Sequence, residues 1–407
     1  MRHSEWLACT ECGEETNITS VPSTCPSCGG ILDLRLPDNT QADRDPAPTS
    51  LWHWAHHLPY CSEENRISLG EAGSPLLACP RLARKMGVAD LWIKNDSISP
   101  TASFKDRAIA LATSLARQHQ RKGLVLSSSG NAGASAAAYA ARAGLPVVVL
   151  VPATAPEAKL RQIAATGARL VKVEGNTSDC CRLADKLARE RDWVNLTTTY
   201  HNPYGVDAYA TLAYEIAHLE ADVLLLPISS GPLLGGIMKG FQRLLEAGHL
   251  ATVPRPIAIQ ASRCAPIVQA FQSGSSVKPW EHQTTIASAL NDTLAGYERD
   301  GDYTLSWIKR FKGAAFAVDD PDILQGLRDL SQMEGILAEP SGAVPIAALG
   351  QLRRKGLVKE NDRIVAVVTG HGLKDLSWVD VAIDAAPIKA DFSALARLVD
   401  QPSPMAG

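Results

Sequence analysis

Short apolar runs alternate with amphipathic stretches along most of this chain, and few architectures accept that pattern. The runs are Leu91–Lys94, Leu124–Ser127, Val147–Val151, Arg169–Val173, Val223–Ile228, Pro256–Gln260 and Ile364–Thr369. Between most of them apolar residues recur at a helical period, as in Ala108, Ile109, Leu111, Ala112 and Leu115. A continuous apolar strand must be covered on both faces, so strands separated by helices predict an α/β fold of doubly wound parallel sheets. Such folds collect ligands at the carboxyl ends of the strands, where loops enter helices. At 407 residues the chain is too long for one core, and two α/β subdomains with small additions are expected.

Several function classes are disfavoured at once. A net charge of −3 offers no basic field for nucleic acid. The longest apolar runs, such as 146–151, are far short of the ~18–20 residues that span a bilayer, so no membrane partner is expected. The opening MRHSEWLACT lacks the apolar stretch of a secretory signal, and a soluble cytoplasmic protein is the expectation. H-E-x-x-H, G-x-S-x-G and Walker motifs are all missing.

Residues 1–36 read as a separate module. Cys9, Cys12, Cys25 and Cys28 are spaced C-x2-C-x12-C-x2-C, and each pair is followed by glycine. Four thiolates so spaced can close a tetrahedron around a structural Zn²⁺, with no position left open for chemistry. So short a segment needs such a staple to fold. A redox CxxC pair is the alternative; a nucleic-acid ribbon is disfavoured by the few basic residues nearby. The other five cysteines show no ligand spacing, and an odd total of nine argues against a disulfide framework. Residues 37–66 form a linker and lead-in, 67–390 the body with a smaller subdomain at roughly 110–220, and 391–407 a peripheral tail.

Four strand-to-helix junctions carry the candidate chemistry. In the first, S-P-T-A-S-F-K-D-R at 99–107, Ser103 is the expected N-cap and Asp106 suits the first turn. Lys105 would face the positive end of the helix, which favours the neutral amine that condenses with an aldehyde; a solvated lysine is the alternative. In the second, Ser128, Ser129, Gly130 and Asn131 precede an alanine-rich helix over 134–143, where hydroxyls and helix amides suit a carboxylate or phosphate. A dinucleotide site is the rival, but G-x-G-x-x-G is absent. In the third, Ser229, Ser230, Gly231, Pro232 and Leu233 form either an anion cradle or an ordinary turn. In the fourth, Thr369 could offer its hydroxyl to a ring nitrogen, while His371 reads as a hydrogen-bonding residue before a general base.

Together these junctions resemble the fold-type II pyridoxal-5′-phosphate (PLP) enzymes, and most closely the threonine synthase family. The likeness is carried by the Cys9–Cys28 ribbon, L-W-H-W at 51–54, I-S-L-G-E-A-G-S-P-L at 67–76, SFKDR at 103–107, SGNAG at 129–133, GIMKGF at 236–241, EPSGA at 339–343 and TGHGLKD at 369–375. It implies two doubly wound domains of the tryptophan synthase β-like kind. It implies that Lys105, preceded by Phe104, carries PLP as a Schiff base and then shuttles protons. Asn131 would bond the cofactor's ring hydroxyl, Ser128, Ser129 and Gly130 would join it around the substrate carboxylate, the 229–233 loop would bind the phosphate, and Thr369 would face the pyridine nitrogen. The implied activity is elimination or replacement at Cβ or Cγ of a small amino acid, by a homodimer. Alternatives are a β-replacement synthase of the cysteate or cysteine synthase kind, a serine/threonine dehydratase, and a PLP-binding regulatory protein without turnover.

The departures cluster at the substrate end. Ala102 and Ala108 stand where the family has glycines, and Pro232 removes one N–H from the phosphate loop. The stretch N-P-Y-G-V-D-A-Y-A-T at 202–211 resembles a family segment N-P-x-R-x-E-G-x-K-T, with Gly205 and Ala210 replacing its arginine and lysine. Loss of a guanidinium weakens phosphate binding by roughly 1.5–3 kcal/mol, which argues against a phosphorylated substrate.

Overall fold

A computed structural model of the chain describes residues 5–37, 48–155, 157–197, 199–281, 284–379, 387–388, 390 and 392–400. Residues 38–47 of the predicted linker and lead-in lie outside the described residues. The chain divides into one unit through Asp375 and a second from Leu376.

The amino-terminal module is a three-stranded antiparallel sheet of β1 (Trp6–Cys9), β2 (Glu15–Asn17) and β3 (Leu32–Arg35), in the order β2-β1-β3. Leu7 pairs with Leu34, and both are fully buried. Ten further strands follow: β4 (Leu76–Ala78), β5 (Asp90–Asn95), β6 (Leu124–Ser127), β7 (Val147–Pro152), β8 (Arg169–Val173), β9 (Val194–Asn195), β10 (Val223–Pro227), β11 (Arg255–Ala261), β12 (Ala314–Val318) and β13 (Arg363–Val368). They form a larger sheet, β12-β11-β10-β13-β5-β4, and a smaller one, β8-β7-β6-β9. Only β4 runs antiparallel within these two sheets. Each predicted run coincides with a strand to within one residue at either end. Strands β4, β9 and β12 were not legible: the first two are very short, and Ala314 to Val318 reads equally as a helix.

The helices are α1 (Pro80–Met86), α2 (Lys105–Gln118), α3 (Asn131–Ala143), α4 (Glu157–Ala165), α5 (Thr177–Arg191), α6 (Pro203–Ile216), α7 (Pro232–Glu246), α8 (Pro266–Ser273), α9 (Glu298–Arg310), α10 (Asp320–Glu334) and α11 (Pro340–Arg354). In the second unit, α12 (Phe392–Val399) exposes Phe392, Leu395 and Val399. The fold is the expected one: two doubly wound α/β halves of the fold-type II kind, preceded by a small cysteine-bearing sheet. Strand β13, last in the chain, lies between β10 and β5, so the chain leaves the larger sheet to build the smaller one and then returns. The carboxyl ends of β5, β10 and β13 are thereby neighbours, at the switch point where such sheets bind ligands.

Helix α6 is buried along its whole length because it packs backbone-to-backbone on α7. A Cβ added at Gly236 would come within 2.3 Å of the Val206 carbonyl oxygen, and one at Gly240 within 2.4 Å of that of Ala210. Across α6 lies a charge network with no solvent access. Arg107 of α2 donates to Asp96 Oδ2 at 3.0 Å and Oδ1 at 2.8 Å, to Glu215 Oε1 at 2.5 Å and Oε2 at 3.0 Å, and to Thr211 Oγ1 at 3.0 Å. Lys94 of β5 completes it, reaching Glu215 Oε2 at 2.6 Å. Burial works against ionisation of Asp96 and Glu215, yet the Arg107 guanidinium holds both below the usual carboxylate range. Two cations and two anions balance, which is what lets four charges stay dry. Replacing Arg107 with methionine should cost about 3–5 kcal/mol, because uncompensated carboxylates remain buried; equilibrium denaturation in urea measures it, against Arg66→Met at a part-exposed arginine outside this network as a control.

Candidate active site and metal centre

Lys105 is the first residue of α2, but the helix start differs from the expected one. Ser103 is not the cap: its backbone is held in a bridge to Gly370, and its buried Oγ has no hydrogen-bond partner. The turn is clamped instead by Asp106, whose carboxylate accepts from Thr101 N at 2.7 Å, Thr101 Oγ1 at 2.5 Å and Ser135 Oγ at 2.6 Å. Phe104 N donates to the Thr369 carbonyl at 3.0 Å, and His371 N to that of Ala102 at 3.0 Å, so the first and fourth junctions are stitched together. Ala102 sits at φ 63°, a conformation glycine adopts without strain. The Lys105 amine lies 4.7 Å from the centre of the Phe104 ring. Burial lowers its pKa to about 8, against the pull of Asp292 and Glu339, so roughly a tenth of the amine is neutral at pH 7, far more than for an ordinary lysine.

At the second junction α3 begins at Asn131, three residues before the expected 134, leaving Ser128, Ser129 and Gly130 as the loop off β6. Asn131 Nδ2 donates to Glu339 Oε1 at 2.8 Å, which joins the smaller half to the larger. Glu339 N in turn donates to the Gly370 carbonyl at 2.9 Å. A side chain at Gly370 would begin 2.2 Å from Glu339 Oε1, so it would displace the carboxylate that Asn131 contacts. Thr369 is buried at the end of β13, and the His371 ring accepts from Leu373 N at 3.1 Å, a capping role.

The third junction is organised from behind. Gln260 Nε2 donates to the Ser229 carbonyl at 3.2 Å, Thr304 Oγ1 to that of Ser230 at 2.6 Å, and the Tyr200 hydroxyl to that of Gly231 at 3.2 Å. In a planar trans peptide the N–H points opposite its C=O, so the amides of Ser230 and Gly231 face the other way, with the amino-terminal amides of α7 beside them. Gly231, at φ 102°, has Thr304 Oγ1 only 2.2 Å from where a Cβ would stand. Ser230 Oγ is buried without a partner. An orphaned hydroxyl beside turned-out amides fits a phosphate. Pro232 shares a small cavity wall with Ala108 and Tyr209, and Tyr209 packs on the Phe104 ring at 5.1 Å, which links this cradle to the Lys105 turn. A wider concavity lined by Asp222, Arg255 and Asp362 opens at the opposite, amino-terminal ends of the strands.

In the ribbon, the four Sγ atoms of Cys9, Cys12, Cys25 and Cys28 lie within 4.8 Å of one another, with separations of 3.5 Å for 9–28, 3.7 Å for 12–25 and 3.4 Å for 12–28. Tetrahedral bonds of about 2.3 Å need sulfur–sulfur edges of roughly 3.8 Å, so the cluster fits a metal. The Gly30 amide favours the Cys28 thiolate, but Cys12 and Cys9 crowd that sulfur and the net effect pushes it up to about 12; a cation removes that penalty. The ribbon docks through Asp33 Oδ1, which accepts from Lys239 at 2.5 Å, and through the Gly29 carbonyl, which accepts from Arg299 at 2.9 Å.

A family model described as "Pyridoxal-phosphate dependent enzyme" matches residues 67–370. A threonine synthase of Methanosarcina acetivorans is 33% identical over 97% of this chain and 98% of its own length. That of Methanocaldococcus jannaschii is 32% identical, over 97% and 99%. This chain belongs to the threonine synthase family of PLP-dependent enzymes. Among solved structures, maize serine racemase superposes with a TM-score of 0.64 at 21% identity, covering 75% of this chain and 90% of that one. The processed threonine deaminase isoform 2 of Solanum lycopersicum gives 0.65 at 20%, covering 89% and 93%. At that identity the likeness extends to the fold.

Membership does not predict the residues behind the loops. Gln260, Thr304, Tyr200 and Asp292 stand outside every recognisable motif, and no periodicity marks them. Asp300 is another: its Oδ2 accepts from Tyr200 N at 3.2 Å, Oδ1 is buried without a partner, and burial pushes the carboxyl up to about 7. An acid with a raised folded pKa holds its proton where the unfolded chain has lost it, so stability falls as pH rises from about 4 to about 7. Asp300→Asn should therefore gain on the parent protein across that window and stay ahead by roughly 2–4 kcal/mol at pH 8, read from paired denaturation curves at pH 5 and 8.

Proposed function

We propose that this threonine synthase relative eliminates or replaces a leaving group at Cβ or Cγ of a small, unphosphorylated amino acid, using Lys105 as its proton carrier. The observation that supports it most is the half-buried Lys105 at the start of α2, whose amine burial lowers to a pKa of about 8.

Lys105 would bond the cofactor aldehyde when no substrate is present, and would take and return the substrate's α-proton once released. The Ser230 and Gly231 amides, the Ser230 hydroxyl and the start of α7 would hold the phosphate, with Leu233 closing the loop and Ser229 at its edge. Asn131 would contact the ring, and Ser128, Ser129 and Gly130 the substrate carboxylate. Thr369 would meet the ring nitrogen with a neutral hydroxyl, which favours elimination and replacement over transamination. Bound PLP supplies the electron sink for the pair left at the α-carbon. At the substrate end, a Cβ on Gly205 would meet Ala108 Cβ at 2.9 Å, and Ala210 is packed under α7, so neither position has room for a cationic arm. The ribbon would hold zinc, one ion per chain.

Three outcomes follow. Protein supplied with PLP should show the absorbance of a protein-bound imine, and Lys105→Ala should lack it; retention of the band in that variant discards the proposal. Because the neutral amine is the reactive form, the rate of imine formation by apoprotein should rise with pH and level off above about 8. Chelation under mild denaturant should release one zinc per chain and make four further thiols reactive to a disulfide reagent, counted by absorbance.

A further inference from the structure

Asn131 enters the site as an amide, and an amide has two unlike ends. Its oxygen only accepts hydrogen bonds and its nitrogen only donates them, so its effect on a ligand depends on which end is presented. Glu339 settles that choice. A carboxylate accepts, so the 2.8 Å contact between Asn131 and Glu339 Oε1 must be made by Asn131 Nδ2. It is the one hydrogen bond of the Asn131 side chain among the described residues. Asn131 is half-buried, so the second Nδ2 hydrogen stays available to a ligand.

Glu339 is held in place for this contact. It stands just before Pro340, the first residue of α11, where a side-chain oxygen ordinarily caps the helix amides. The Glu339 side chain makes no such capping bond. Its backbone is fixed on both sides: Glu339 N donates to the Gly370 carbonyl at 2.9 Å, and the Glu339 carbonyl accepts from Gly342 N at 2.8 Å. Ala338, the residue before it, bridges His371. The carboxylate lies over the Gly370 backbone, where a Cβ would stand 2.2 Å from Oε1. Gly370 in turn bridges Ser103, two residues before Lys105. The acid is thus tied to the turn that carries the amine, and from there it holds the first residue of α3 in the smaller half.

We infer that Glu339 is a positioning residue: by holding Asn131 Nδ2 it keeps the amide's second N–H, and not its oxygen, directed at the ring oxygen of bound PLP. A donor favours the ionised form of that oxygen, whereas the amide oxygen would repel it. The inference rests on the proposed function, in which Asn131 contacts the ring, and adds the residue that sets the end making contact.

The test reads the absorbance of PLP-loaded protein near neutrality. In a protein-bound imine, the proton shared with the ring oxygen sits on nitrogen in the long-wavelength form and on oxygen in the short-wavelength form. The parent protein should favour the long-wavelength form. Glu339→Gln offers Asn131 a donor as well as an acceptor, so either amide end can turn to the ring. The ratio of long- to short-wavelength absorbance should then fall about three- to tenfold, the worth of one hydrogen bond. Gly370→Ala reads the same contact independently, because its Cβ pushes the carboxylate aside and leaves every charge in place. In an Asn131→Ala background neither change should lower the ratio further, since no amide remains to be oriented. A bare charge effect on the imine nitrogen, or a general loosening of the fold, would persist there. A parent protein dominated by the short-wavelength form, a ratio that either variant leaves unchanged, or an equal fall in the Asn131→Ala background overturns the assignment. Each of those results leaves the imine band and its dependence on Lys105 standing. A parent protein without the band removes the functional proposal, and this assignment with it.

Discussion

The dry pairing of Arg107 with Asp96 and Glu215 sets the geometry on which the site depends. Arg107 is two residues beyond Lys105 on α2, Asp96 directly follows β5, and Glu215 closes the last turn of α6. A guanidinium has a rigid fork, so engaging two carboxylates at once leaves the helix little rotational freedom. The amine at the helix start inherits that restriction. Lys94 supplies the second positive charge from the strand side, and without it three ions would sit buried with a net negative charge.

The two α/β halves meet at the chemistry. Asn131 reaches across to Glu339, and Glu339 is tied to Gly370, whose own neighbour Thr369 receives the Phe104 amide. Groups hundreds of residues apart therefore share one short chain of hydrogen bonds around Lys105. The 229–233 loop follows the same logic, since side chains from β11, α9 and the segment before α6 take its carbonyls and so orient its amides. The ribbon braces two of the helices concerned, α7 through Lys239 and α9 through Arg299. The four-cysteine ribbon thus supports the back of that loop while standing outside the site.

The departures from the family pattern lie around the amine and spare the amine itself. Of the two α6 positions where the family segment carries cations, Gly205 is closed by Ala108 of α2 and Ala210 by the tight crossing with α7.

Much of this was legible in the chain itself. Apolar runs and their spacing determine strands and sheet class because covering both faces of a parallel sheet demands them, and C-x2-C-x12-C-x2-C determines a four-sulfur cluster because the ligands are local. The SFKDR and SGN motifs marked Lys105 and Asn131 for a similar reason: each is a strand-end turn whose geometry is encoded by adjacent residues. What escaped was non-local. Ser103 looked like a cap until Gly370 took its backbone, and Gln260, Thr304, Tyr200 and Asp300 acquire roles only when distant segments meet. Local pattern reports which conformation a segment prefers; whether a buried carboxyl faces an amine, a carbonyl or water is decided by partners that only the folded chain brings within reach.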